Sequence, residues 1–191
     1  MPDPLALRIA FVLMAGMLAV AAWCDLRTRK VPNWLTLPAA GLGLAFWTLW
    51  GALGPGSMTA WQGLLASLGA LLAGFLPSLA IYALGGLGGG DVKTLGALGA
   101  LSGSWEVVLA TAFYGLIVAC LWAIALMLRH RIVGQTLRNL VTAGLAVAAR
   151  TRPVVADAGP TVPLGAAFKV GGLLAGVEHM LRIPLPWSGH L

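Results

Sequence analysis

Long apolar runs, separated by short polar or glycine-rich segments, make up most of the chain. A helix that crosses the roughly 30 Å hydrocarbon core of a bilayer needs about 20 mainly apolar residues. The runs therefore predict an all-α, polytopic membrane protein with about six transmembrane helices, forming a single domain over residues 1–191. The predicted spans are residues 5–24, 35–53, 64–84, 92–105, 107–128 and 162–181.

Two of the predicted spans are irregular. The third contains Pro77, which we expect to kink the helix without ending it, because neighbouring helices can satisfy the carbonyl that proline frees. The apolar part of the fourth, residues 94–105, reaches only about 18 Å at 1.5 Å per residue. Either this helix begins at Asp91 and draws the bilayer inward, or the glycine-rich loop before it enters the headgroup region.

The composition agrees with a membrane protein. Charged residues make up 9% of the chain, whereas soluble domains have about a quarter. The net charge of +6 predicts no nucleic-acid partner, because the basic residues lie between the apolar runs, where they indicate topology in a lipid bilayer. Cys24 and Cys120 form no CxxC pair and are expected to be buried free thiols. Most of the eight tryptophans lie near predicted span ends, whereas Trp122 is deeper and is expected to pack inside.

Basic residues predict which side of the membrane each loop faces. They follow span one, the glycine-rich loop and span five, at Arg27, Arg29, Lys30, Lys93 and the arginines from Arg129 to Arg152. With six spans these loops share one face, which the positive-inside rule makes cytoplasmic, with both termini outside.

The long segment between spans five and six, from Arg129 to Thr161, is predicted to be cytoplasmic and amphipathic. Within it, residues 137–149 are too few to span the bilayer and are expected to lie at the interface. Lys169, about two turns into span six, either reaches the cytoplasmic interface or faces the interior of the bundle.

Two of the six acidic residues are placed for chemistry. Asp25 and Asp91 each lie at the cytoplasmic end of an apolar element, where a carboxylate is costly without a partner or a task. Two neighbouring carboxylates do not both ionise easily, so one holds a proton while the other stays charged. Such a pair can hydrolyse a peptide bond without a metal or cofactor. The alternative interpretations are that Asp91 is an ordinary helix N-cap and that Asp25 pairs with a nearby arginine.

Two motifs resemble those of type IV prepilin peptidases, which are membrane aspartic proteases of the GxGD type. Residues 25–36, DLRTRKVPNWLT, are similar to the first catalytic segment of that family, and residues 88–93, GGGDVK, are similar to its GxGD segment. Residues 162–165, VPLG, are similar to the start of its last helix.

The resemblance implies an inner-membrane endopeptidase of bacteria that removes the basic leader of prepilin-like substrates at the cytoplasmic face. It implies catalytic roles for Asp25 and Asp91 and an active-site loop with Gly88, Gly90 and Lys93. We expect structural support from Pro32, Asn33 and Pro163, with Asn33 either capping span two or ordering the Asp25 loop. The chain lacks an N-terminal extension with paired CxxC motifs, so we expect a small Flp/Tad-like form without N-methyltransferase activity.

Three other interpretations remain open. A small ion- or proton-coupled transporter would use Asp25 and Asp91 as ion-binding carboxylates, although both lie at one face and carriers usually bind near the midplane. A membrane scaffold would need neither aspartate. A related GxGD protease could cut a different transmembrane substrate.

Overall fold

Six helices make up the part of the chain that the structure describes. The structure is a computed structural model, and it describes residues 3–28, 30–54, 58–131, 134, 138 and 164–181. The helices are α1 Pro4–Thr28, α2 Asn33–Leu53, α3 Ala60–Ala83, α4 Gly89–Ser102, α5 Trp105–His130 and α6 Leu164–Leu181. The all-α prediction is confirmed. Most of the predicted amphipathic segment after span five lies outside the described residues.

Four of these helices, α1, α2, α3 and α5, are long and apolar enough to cross a membrane. The other two differ from them. The 14 residues of α4 reach about 21 Å at 1.5 Å per residue, which is less than the hydrocarbon core. Helix α6 has 18 residues, and Lys169, Glu178 and His179 interrupt its apolar sequence. The six predicted spans thus correspond to six helices, of which four have the length and hydropathy of membrane spans.

The ends of α3 show how the local sequence sets the helix boundaries. It begins four residues before the predicted span because Thr59 and Gln62 form a reciprocal capping box, which satisfies two backbone donors. It continues through Pro77, as predicted, and ends where Gly85 takes a positive φ of 80°. Glycine accepts this left-handed conformation without steric cost.

Helix α4 is the centre of the bundle. Every residue from Thr94 to Ser102 is buried, and α4 packs most extensively against α3 and α2. Glycines allow the backbones to approach closely, because a Cβ at Gly74 or Gly99 would overlap the backbone of the facing helix. The hydroxyl of Ser67 and the indole of Trp47 donate to carbonyls of α4 at 2.7 and 2.9 Å. From Thr94 to Ser102, the short helix is therefore surrounded by protein.

The outer surfaces of the long helices carry large exposed apolar side chains, as expected where lipid is the solvent. Two expectations about α5 are wrong. Trp122 is 42% exposed, and Cys120 is also exposed, because both lie on the outer face of α5. Among the described tryptophans, the one that packs inside is Trp47, which is 2% exposed.

Candidate active site

Asp25 lies in the last turn of α1, which continues one turn beyond the predicted span. Its carboxylate accepts a hydrogen bond from the ammonium of Lys169 at 2.5 Å, and 35% of the Asp25 side chain is exposed. It does not pair with Arg27, whose guanidinium lies 4.3 Å from the centre of the Trp23 ring. Arg29 lies outside the described residues. Among the described residues, the partner of Asp25 thus comes from α6.

Asp91 lies in the first turn of α4, where the helix dipole stabilises a negative charge. The N-cap of α4 is Gly88, so the interpretation of Asp91 as an N-cap is wrong. Its carboxylate packs directly against the backbone of Gly165, where a Cβ would overlap the carboxylate. A Cβ at Gly88 would lie 3.2 Å from an oxygen of the same carboxylate. Two residues without side chains therefore make room for the Asp91 carboxylate.

Helix α6 brings the two aspartates to one place. Gly165 contacts Asp91 and Lys169 contacts Asp25, and residues four apart lie on the same face of a helix. Asp91 is near enough to both Asp25 and Lys169 to interact electrostatically with each. The two candidate catalytic carboxylates are thus brought together with one ammonium.

Lys169 is a residue of this site whose placement the sequence leaves undecided. It is 5% exposed, so of its two predicted placements the structure shows the one in the interior of the bundle. Its signal in the sequence is a cation inside an apolar helix, which usually requires a buried countercharge. The pattern does not identify that countercharge, because Asp25 is 144 positions earlier in the chain.

The two motif segments also contact each other. Gly90 approaches Val31 so closely that a Cβ would lie 3.2 Å from the valine side chain. Lys93 donates to the side-chain oxygen of Asn33 at 2.7 Å. Pro32 is the N-cap residue of α2, so Asn33 does not cap that helix but joins its first turn to α4. Pro163 lies outside the described residues.

A small cavity lies beside Asp91. Its volume is about 10 Å³ and its polar lining comes from Asp91, Thr94 and Lys169, with apolar walls that include Leu98 and Phe168. This volume is about what one water molecule needs, and a buried water requires two to four polar partners. The cavity has the volume of about one water molecule, but its walls are mainly apolar.

The site brings together two carboxylates and an ammonium, which are groups that acid–base hydrolysis can use. Within the described ranges, no group of three histidine, cysteine, aspartate or glutamate side chains is placed to hold a metal ion.

Residues 12–149 match the type IV leader peptidase family, and this stretch is more than half of the chain. The chain belongs to that family. It is therefore an aspartic endopeptidase that acts on the leaders of type IV prepilins, which favours the peptidase interpretation over a transporter or a scaffold. No curated protein and no solved structure matches the chain.

The stretch shared with the leader peptidase family includes both aspartates and the glycines of the GxGD segment, but it ends before α6. The contacts that Gly165 and Lys169 make with the aspartates therefore come from outside the matched stretch.

Proposed function

We propose that Asp25 and Asp91 are the catalytic dyad of this leader peptidase and that they cleave the prepilin leader at the cytoplasmic face of the bacterial inner membrane. One observation carries the proposal: carboxylates from two distant elements meet the same face of α6, one helical turn apart. An ion pair that only stabilised the fold would need only one of the two carboxylates.

The chemistry requires one charged and one protonated carboxyl group. The charged carboxylate takes a proton from water, whose oxygen attacks the scissile carbonyl carbon while the protonated carboxyl gives its proton to the carbonyl oxygen. When the C–N bond breaks, the first carboxyl returns its proton to the leaving nitrogen and the second takes one back from a hydroxyl of the intermediate. Both groups are then restored, and no covalent enzyme intermediate forms.

The basic residues support a cytoplasmic site. Arg27, Lys30 and Lys93 lie within a few residues of the two aspartates along the chain, and basic residues flanking membrane spans favour the cytoplasmic side. The small Flp/Tad-like form, cleavage without N-methylation and external termini remain predictions. We infer that the substrate is a prepilin with a basic leader and that the enzyme contacts membrane lipid.

Coexpression with a prepilin tests the proposed dyad. Asp25→Asn and Asp91→Asn keep the side-chain size but remove the acid–base function, so we expect each to stop leader removal, followed by gel mobility and by the mass of the product. Glu106→Gln is the matched control, because Glu106 lies in the first turn of α5 and not among the residues of the site. Continued cleavage by both folded aspartate variants would refute the dyad.

A further inference from the structure

Lys169 is buried at a place where a lysine is costly. Its side chain is 6% exposed, and moving an ammonium out of water costs several kcal/mol unless a countercharge compensates. Lysine stems can usually reach an interface and keep the charge in water. Lys169 instead directs its ammonium to Asp25, so the site contains a buried charge that packing alone does not require.

The ammonium treats the two aspartates differently. It hydrogen-bonds to Asp25 at 2.5 Å, and Asp91 interacts with it only through space. Among the residues that the structure describes, no hydrogen-bond donor is placed on the Asp91 carboxylate, which instead packs against Gly165 and Gly88. Among the described residues, the ammonium therefore makes its hydrogen bond with Asp25, whereas its interaction with Asp91 involves no hydrogen bond.

Two other ionisable groups of the helices that pack around α6 are directed to partners other than Asp25 and Asp91. Lys93 of α4 is directed to Asn33, and Tyr114 of α5 donates to Glu178. Glu178 lies nine residues beyond Lys169, which is two and a half helical turns. Among the described residues, the charges that act on Asp91 are those of Asp25 and Lys169.

We propose that Lys169 is a positioning residue that keeps Asp25 ionised and oriented, and so fixes the roles within the dyad. Asp25 is then the group that takes the proton from the attacking water, and Asp91 is the group that gives its proton to the scissile carbonyl oxygen. Because two adjacent carboxylates resist simultaneous ionisation, a charge locked on Asp25 leaves the proton on Asp91. The inference rests on the proposed dyad.

A purely structural role makes a different prediction. An ion pair that only joined α6 to α1 would affect folding, and any variant that still folded would cut at the normal rate. A role in setting charge predicts loss of turnover in variants that fold, and recovery when the charge is retained. The folded variants therefore distinguish the two roles.

The experiment compares neutral and charged substitutions in the full chain, purified into lipid nanodiscs and assayed with a prepilin that carries its leader. Lys169→Gln retains a hydrogen-bond donor without charge, Lys169→Met approximates the lysine length, and Lys169→Arg retains the charge. We expect kcat to fall about 100-fold or more in both neutral variants, within the range of acid–base contributions, with KM changed less than about threefold. Lys169→Arg should remain within about tenfold of wild type, because its guanidinium can still pair with a carboxylate.

The control is Glu178→Gln on the same helix, which removes a charge at the other end and should leave kcat unchanged. Thermal unfolding and gel filtration identify the folded variants. A folded neutral variant with wild-type kcat would overturn the role of Lys169. Asp25→Asn and Asp91→Asn, assayed alongside, separate this failure from that of the dyad: if they are inactive while Lys169→Gln and Lys169→Met are active, only the inference about Lys169 is wrong.

Discussion

The two ends of α6 each place an ionisable side chain against a neighbouring helix. Near its start, Lys169 pairs with Asp25 of α1, and near its end, Glu178 accepts a hydrogen bond from Tyr114 of α5 at 2.5 Å. The first contact joins two charges beside a second carboxylate, Asp91, whereas the second joins a carboxylate to a neutral phenol. Both contacts hold α6 in the bundle, but only the first has the groups that can move protons through a hydrolysis.

Among changes that leave the charged groups of the site in place, the largest expected effect comes from adding one methyl group near the start of α6. In Gly165→Ala the new Cβ would overlap the Asp91 carboxylate, so the carboxylate must move. A displacement of about 1 Å can lower a rate about 100-fold, and we expect a loss of that size in leader cleavage by purified enzyme in lipid.

Gly176→Ala is the matched control at the other end of α6. Its Cβ would meet the side chains of Phe11 and Met14, so we expect a stability cost of about 1–3 kcal/mol from overpacking and normal cleavage. Equal cleavage by the two folded variants would show that Gly165 does not hold Asp91 in its active position.

A smaller effect, on stability alone, is expected from Tyr114→Phe. This change removes the phenol that donates to Glu178, and the loss of one partly buried hydrogen bond costs about 1 kcal/mol. Unfolding midpoints in detergent should fall, while kcat for leader cleavage stays at the wild-type value. A large fall in kcat in the folded variant would mean that the two ends of α6 do not have separate roles.

The smallest effect is expected from Asn33→Ala, which removes the acceptor for Lys93. This hydrogen bond is exposed, and exposed charged contacts contribute only about 0–1 kcal/mol. We therefore expect cleavage to slow by less than about fivefold, since 1 kcal/mol corresponds to roughly that factor in rate.

The matched control for Asn33→Ala is Thr59→Ala, which removes an exposed capping bond at the start of α3. It should lower stability by about 1 kcal/mol and leave cleavage unchanged. If Asn33→Ala abolished cleavage, Asn33 would belong to the catalytic machinery itself.

The sequence predicts the helices well and their rotations poorly. Apolar runs give the order of the six described helices, because a run of about 20 apolar residues is long enough to cross a bilayer as a helix. Boundaries differ by a turn where a local motif extends a helix, as the capping box at Thr59 does. The wrong expectation for Trp122 concerns the rotation of α5 about its own axis. An almost uniformly apolar sequence does not encode that rotation.

Both aspartates of the site stand out in the sequence because carboxylates are rare in this chain. The contacts of Gly165 and Lys169 do not, since each depends on how α6 packs against helices far away in the sequence. Tertiary packing alone reveals that one turn of the last helix contacts both carboxylates.

The most direct test of the proposed dyad is whether Asp25 and Asp91 act as one unit. Single-turnover cleavage of a prepilin in lipid nanodiscs would be measured for Asp25→Asn, Asp91→Asn and the double variant. Groups that act together in one step are strongly non-additive, so we predict that each single change lowers the rate to the same residual level and that the double variant is no slower. Substantial cleavage by either folded single variant, or a double variant slowed by the product of the two single effects, would contradict a shared catalytic site.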